Sequence, residues 1–216
     1  MQTERDAARG RLTAKAYSYV RSAILSGEFP SGSVLAEEEL AEALGSSRTP
    51  VRHALSLLLK EGLLEVGARR QLLVRGFTPD QRREIAMLRE ALEVVAVRQA
   101  SSVVSDDDLD QLRLLVLRQR RVAAAADQEA FLDLDEGFHL KIAEAANLPI
   151  LYGLLSQLRG FVRVAQLDVD RPPAVLAEVT GEHESIIDAL ERRDAESAVA
   201  ALLAHLNKTE YRGARP

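Results

Sequence analysis

The tripeptide Gly45-Ser46-Ser47 constrains this chain more than any other stretch, because of what stands on either side of it. Before it, an acidic segment from about Ala36 to Leu44 places Leu40, Ala43 and Leu44 on one side of a helix. After it, a segment from about Arg48 to Glu61 gathers Val51, Ala54, Leu55 and Leu58 on one face at about 100° per residue. Ser47 stands where it can cap this second helix, and Pro50 falls in the first turn, where a missing N–H is tolerated. Two short helices joined by a Gly-containing turn make a helix-turn-helix.

The opposite arc of the second helix holds Arg48, Thr49, Arg52 and Ser56. Two guanidiniums and two hydroxyls at the N-terminal end of a helix can reach guanine edges and phosphates together. A merely solvated face is the alternative, and the neighbouring segments speak against it. Upstream, about Thr13 to Ser26 reads as a helix with Ala16, Val20, Ala23 and Ile24 on one face, stopped by Gly27 and broken by Phe29-Pro30-Ser31-Gly32. Downstream, Leu63–Val66 and Gln71–Val74 read as two short strands around Gly67-Ala68-Arg69-Arg70. A hairpin with a basic tip behind a helix-turn-helix is a wing, from which Arg69 and Arg70 can touch phosphates or enter a minor groove.

From Leu35 to Leu64 the run resembles the DNA-binding domain of the GntR family of bacterial regulators. The resemblance rests on Glu37, Leu40-Ala41, Leu44-Gly45, Ser47 to Arg52, Ala54-Leu55 and Glu61-Gly62-Leu63. It implies that Arg48, Thr49 and Arg52 contact double-stranded operator DNA, with the wing assisting. Three positions depart from the family pattern: Ala36 replaces a capping Ser or Thr, His53 replaces a Glu, and the wing tip Ala68 to Gln71 lacks a glycine. His53 reads as a half-exposed surface residue ahead of a base reader.

Composition sets the outer limits. Apolar residues make up 47% of the chain and aromatics only 4%, so Ala- and Leu-rich helices are favoured over sheets. The absence of Cys excludes disulfides, thiolate catalysis and Cys-based zinc fingers. Net charge is −5, which argues against nucleic acid until the halves are separated. The first 76 residues carry 11 Lys and Arg against 9 acidic residues, and the remainder 17 against 24. A mildly basic front on an acidic body permits phosphate contact. The polar N-terminus lacks a signal-peptide core, and no segment has the ~18 uninterrupted apolar residues of a membrane span, so a soluble, cytoplasmic protein is expected.

Beyond a joint at Gly76-Phe77-Thr78-Pro79, about six helices are predicted: Asp80–Ser102, Asp106–Ala124, Gln128–Ala146, Pro149–Leu167, Ala174–Arg192 and Ala195–Lys208. Ser105 with Asp108, Asp127 and Asp194 mark three of the starts. Asp135 and His139 lie four apart and project from one helical face, while His183 and His205 sit on the last two helices. One carboxylate and three imidazoles suit a first-row divalent metal with positions left open; a hydrogen-bonded polar cluster in the core is the alternative. Arg159 and Arg163 are candidate effector contacts by spacing alone, with internal ion pairs as the competing role.

Leu134 to His139 with Ile142 to Asn147, and Glu182 to Ile186 with the residues leading to His205, resemble the motifs of the FCD effector domain found in the FadR-type branch of the same family. The resemblance implies that Asp135, His139, His183 and His205 hold the metal. It also sets Arg89, in Arg89-Glu90-Ala91-Leu92-Glu93, as a partner for a ligand carboxylate. The expectation is a mainly α protein: a winged helix-turn-helix over 1–76 and an all-α bundle over 77–216 that senses an effector and dimerises. It would be a homodimeric regulator, most simply a repressor, controlled by a small organic acid at a zinc, nickel or manganese ion. A regulator whose effector is the metal itself is the nearer alternative. A metal-dependent enzyme is the remoter one, because no HExxH-like motif is present and catalysis gives no reason for the helix-turn-helix.

Overall fold

The computed structural model describes the backbone of residues 2–166 and 171–213, and side chains within 10–166 and 171–208. The chain divides into two compact units, residues 1–78 and 79–216. The first contains α1 (Gln2–Ser26), β1 (Val34–Leu35), α2 (Glu37–Ala43), α3 (Arg48–Lys60), β2 (Leu64–Val66) and β3 (Leu72–Val74). The second contains α4 (Pro79–Val103), α5 (Asp106–Ala124), α6 (Gln128–Ala145), α7 (Pro149–Gln166), α8 (Pro173–Glu191) and α9 (Ala195–Gly213).

In the first unit α1 packs on α3, and α2 and β2 also lean on α3. The apolar stripes do this work: Ala16, Val20, Ala23 and Ile24 of α1 are buried, as are Val51, Ala54, Leu55 and Leu58 of α3. Each fully buried Leu or Ile contributes roughly 1.5–3 kcal/mol of transfer free energy, so the stripe outweighs the polar arc in setting the helix's roll. The sheet is antiparallel in the order β1-β3-β2, with Leu35 opposite Leu72 and Leu64 opposite Val74. Strand β1 is an addition to the sequence reading, and it gives β3 a partner on both edges. Helix α1 also begins well before Thr13, at Gln2.

Ser47 is a correction. It occupies the N-cap position of α3 in extended conformation, yet its side chain accepts no bond from the helix. The turn is exposed, so water can serve the first N–H groups. In the second unit the expected caps are formed. Ser105 and Asp108 make a reciprocal capping box, Asp127 accepts from the Ala130 N–H, and Asp194 from the Ser197 N–H.

The second unit is an all-α bundle. Helix α4 touches α6, α7, α8 and α9, while α5 lies between α6 and α8. Its core includes Val97, Ala100, Leu112, Phe138, Leu155, Ile186, Leu190 and Leu202, all essentially unexposed. Helices α4 and α9 run one to several residues past the expected bounds, α8 is shifted one residue toward the N-terminus, and the expected end at Leu167 lies outside the described residues. Among the described residues no helix is long and apolar enough to cross a membrane.

Candidate nucleic-acid interface and candidate metal centre

Burying the apolar stripe of α3 leaves Arg48, Thr49 and Arg52 exposed and Ser56 half-buried on the other side. Both guanidiniums are engaged by the first turn of α2. Arg52 meets Glu37 side-on: its Nε lies 2.9 Å from both carboxylate oxygens and its Nη2 2.7 Å from Oε2. Arg48 donates through Nη2 alone, to Glu38. The Arg52 bond holds the Glu37 carboxyl below its ordinary range, against a smaller upward push from burial. At its other end, α3 is tied to α1 where the Tyr17 hydroxyl reaches the Glu61 carboxylate at 2.8 and 2.9 Å.

The wing loop closes through the Gly67 N–H to the Gln71 carbonyl and the Arg70 N–H to the Gly67 carbonyl, both 2.9 Å. Arg69 and Arg70 are exposed at its tip. With no glycine at the tip, Arg70 itself takes the left-handed conformation, φ +61°. At Gly67 a Cβ would come within 2.8 Å of the Leu73 side-chain tip and 2.9 Å of that of Gln71, so a larger residue there would oblige both to shift. His53 is exposed on α3, as its position in the arc implied.

In the second unit, the four residues expected to gather do gather. Asp135 and His139 from α6, His183 from α8 and His205 from α9 are all buried, and one ligating atom from each lies within 4.8 Å of the others. Ligands bound ~2.1 Å from one ion at tetrahedral angles stand ~3.4 Å apart, so a bound cation would draw this set inward.

Each outward nitrogen lies beside an acceptor, although at His139 the contact lacks hydrogen-bond geometry. His183 Nδ1 lies 2.8 Å from Gln119 Oε1, His205 Nδ1 3.0 Å from Glu182 Oε2, and His139 Nδ1 2.6 Å from Glu93 Oε2. Every one of these partner atoms is an acceptor, which calls for the proton on Nδ1, and the Nε2 atoms of His139 and His183 lie 3.7 and 3.5 Å from Asp135 Oδ1. At His139 the same tautomer follows independently: Arg89 Nη2 lies 3.0 Å from Nε2, and a guanidinium can only donate. His183 Nε2 is buried and has no hydrogen-bond partner, 3.5 Å from Asp135 Oδ1. Phe138 stacks on the His183 ring at a centroid distance of 4.1 Å and fixes its plane. One carboxylate and three imidazoles, the orphaned His183 Nε2 among them, make a donor set that fits a divalent cation once Arg89 gives up its contact with His139.

The expected arginines surround this cluster. Arg159 donates to Asp135 Oδ2 at 2.5 Å, and Arg89 Nε to Glu93 Oε1 at 2.8 Å, all four residues being buried. Arg163 is buried too, with Asp133 at 3.1 Å and the Glu129 carbonyl at 3.3 Å. Thus internal pairing, the competing role, is realised at all three. Burial alone would raise the Asp135 carboxyl, but the charges of Arg159, His139 and His183 hold it well below the carboxylate range. Glu93 is lowered the same way by Arg89, His139 and Arg159. Burial pushes His183 far down, helped by His205, and also pushes His205 down, partly offset by its bond to Glu182. His183 and His205 are therefore biased toward the neutral form, which is the one that binds metal.

Gln119 was the residue the sequence reading passed over. On α5 it falls in the run Leu109, Leu112, Val116, Gln119, Ala123, every member buried. A lone amide in an apolar stripe is the signal that would have found it.

Comparison with known proteins bears on both units. The family described as "Bacterial regulatory proteins, gntR family" matches residues 12–74, and "FCD domain" matches residues 84–208. The HTH-type transcriptional repressor RspR of Escherichia coli K12 is 27% identical over 195 residues, covering 89% of this chain and 84% of that protein. An uncharacterised HTH-type transcriptional regulator from an unstable DNA locus of Streptomyces ambofaciens is 31% identical over 193 residues, covering 88% and 80%. The solved structure of E. coli McbR/YncC is similar with a TM-score of 0.85 at 27% identity, covering 93% of this chain and 95% of that one.

Proposed function

Since this chain belongs to the gntR family of bacterial regulatory proteins and carries an FCD domain, and so is a DNA-binding transcriptional regulator, we propose that it is a repressor whose grip on DNA is set by a small organic acid bound beside a divalent metal. One observation carries this reading: a buried carboxylate and three buried imidazoles bring one ligating atom each within 4.8 Å of one another. Asp135, His139, His183 and His205 would hold zinc, nickel or manganese, whose charge and open positions would attract the acid's carboxylate. Arg89, Arg159 and Arg163 are the cations available to orient that carboxylate, Arg89 already pointing Nη2 at His139 Nε2.

On DNA, Arg48, Thr49, Arg52 and Ser56 would face the major groove, with Arg69 and Arg70 on phosphates or in the minor groove. Two copies would address a palindrome whose half-sites lie ~34 Å apart. The acid acts by binding one arrangement of the dimer better than another. Repression is favoured by the relative named a repressor. A sensory rather than catalytic cluster is favoured by relatives that are named as transcriptional regulators.

The test is a thermal-shift screen of small carboxylates on metal-loaded and metal-stripped protein, with His183→Ala and His205→Ala beside the wild type. One acid should stabilise the loaded protein alone, and each variant should lose stoichiometric metal. Full metal retention by both variants would refute the ligand set. Stabilisation by metal with no acid would instead make the metal the effector.

A further inference from the structure

The two arginines of α3 are held in different ways, and the difference assigns them different work. A guanidinium has two usable edges, one formed by Nε and Nη2 and the other by Nη1 and Nη2. Glu37 occupies the Nε–Nη2 edge of Arg52 with both carboxylate oxygens. The end-on edge, which matches guanine O6 and N7, is left unused by that contact. Arg48 is caught by Glu38 through a single contact at Nη2. One contact leaves the guanidinium free to rotate about it, so neither edge of Arg48 is held in a set direction.

We propose that Glu37 is a specificity-determining positioning residue, which clamps Arg52 side-on and presents its end-on edge to one guanine of the operator half-site. The proposal rests on the reading of α3 as the base-reading helix. The carboxylate is built for holding. Its side chain is 30% exposed against 68% for Arg52, so the acid is the fixed partner and the guanidinium projects from it. Position in α2 adds to this: Glu37 is the first residue of the helix, where a carboxylate is favoured by the helix dipole. Fixing the side chain in advance removes rotamer freedom that would otherwise be lost on binding, and it does so only for the geometry that meets a guanine. Phosphate contact, which asks for charge and little direction, gains nothing from the clamp. Glu38, 72% exposed and opposite an Arg48 that is 58% exposed, has no such leverage.

The experiment is a selection of bound sequences from a pool of random-sequence duplexes by full-length protein, paired with affinity for one fixed random 30-base-pair duplex. Wild type, Glu37→Ala, Glu37→Gln, Glu38→Gln and Arg52→Lys are compared. A bidentate arginine–guanine contact discriminates roughly five- to a hundred-fold, so Glu37→Ala should cut the preference at one guanine position by about fivefold or more. Glu37→Gln, which keeps one acceptor, should cut it less. Arg52→Lys should erase the same position, and Glu38→Gln should erase none. Binding of the fixed random duplex should be unchanged or tighter in every acid variant, since each removes a negative charge facing DNA. Because selection scores only molecules that bind, a small loss of folding does not imitate the loss of one base. Full retention of the guanine by Glu37→Ala, or an even loss at all positions, overturns the proposal. Retention of every position by Arg52→Lys overturns the base-reading role of Arg52 itself, and the proposal with it.

Discussion

Both candidate sites pair arginine with carboxylate, but one does so in solvent and the other in the dark. Arg48 and Arg52 lie more than half exposed against Glu38 and Glu37 on one face of the helix-turn-helix. Arg89 and Arg159 meet Glu93 and Asp135 in the bundle with no side chain more than 9% exposed. In water an ion pair is worth little and can be traded for another anion. Out of water the attraction is far stronger, yet each charge has also lost its hydration, so the pair is safe only while complete. The first kind suits a surface that must exchange a protein carboxylate for DNA. The second suits a frame that holds a ligand's place.

The sharpest way to break that contrast is to remove one buried charge. Arg159→Leu leaves Asp135 without its closest cation and should cost about 3–5 kcal/mol in urea denaturation of metal-stripped protein. A loss below 1 kcal/mol would mean that water already reaches the cluster. Gln119→Leu keeps the bundle apolar but frees His183 to turn, and should weaken metal binding by about 10- to 100-fold in a chelator competition. Unchanged affinity would separate the Gln119 bond from the metal site.

Acid titration probes the same burial. His183 and His205 have lowered pKa values in the folded protein, so below their ordinary value the unfolded chain takes up protons that the folded one refuses. Stability of metal-stripped protein is therefore intact above pH ~6.5 and falls as pH drops below it, by up to about 1.4 kcal/mol per pH unit for each histidine. Equal urea midpoints at pH 7.5 and 5.5 would contradict neutral, buried rings. The smallest effect belongs to the exposed pairs: Glu37→Gln and Glu38→Gln should leave the urea midpoint of the full chain within experimental scatter.

The fold was legible wherever a stripe had length. The bundle helices and α3 each repeat their apolar period over several turns, and their caps are chemically explicit at Ser105, Asp127 and Asp194. Strand β1 is two residues long and has no period to read. The early part of α1 is polar and carries no core-facing repeat of its own. At the candidate metal centre, the three imidazoles were legible because the chain has only four histidines, and Asp135 because it lies four residues before His139 inside a motif that resembles the FCD domain. Their outer partners were less so. Glu93 and Glu182 stood inside quoted motifs without a role, and Gln119 lies on α5, remote in sequence from every histidine it serves. Pairing across a bundle is a property of packing, which spacing along one helix does not encode. On α3, spacing showed which arginines share a face, but Glu37 and Glu38 reach them from another helix.

The tip of the wing records a compromise between shape and reach. A backbone at φ +61° is open to glycine without steric cost, whereas any L side chain there carries a penalty of about 1–2 kcal/mol. Here that place is filled by Arg70, with Arg69 beside it. The hairpin thus gives up some of its own stability to carry a second positive charge at its outermost point. Gly67, earlier in the loop, is limited by space instead, since the side-chain ends of Leu73 and Gln71 would have to move to admit a Cβ.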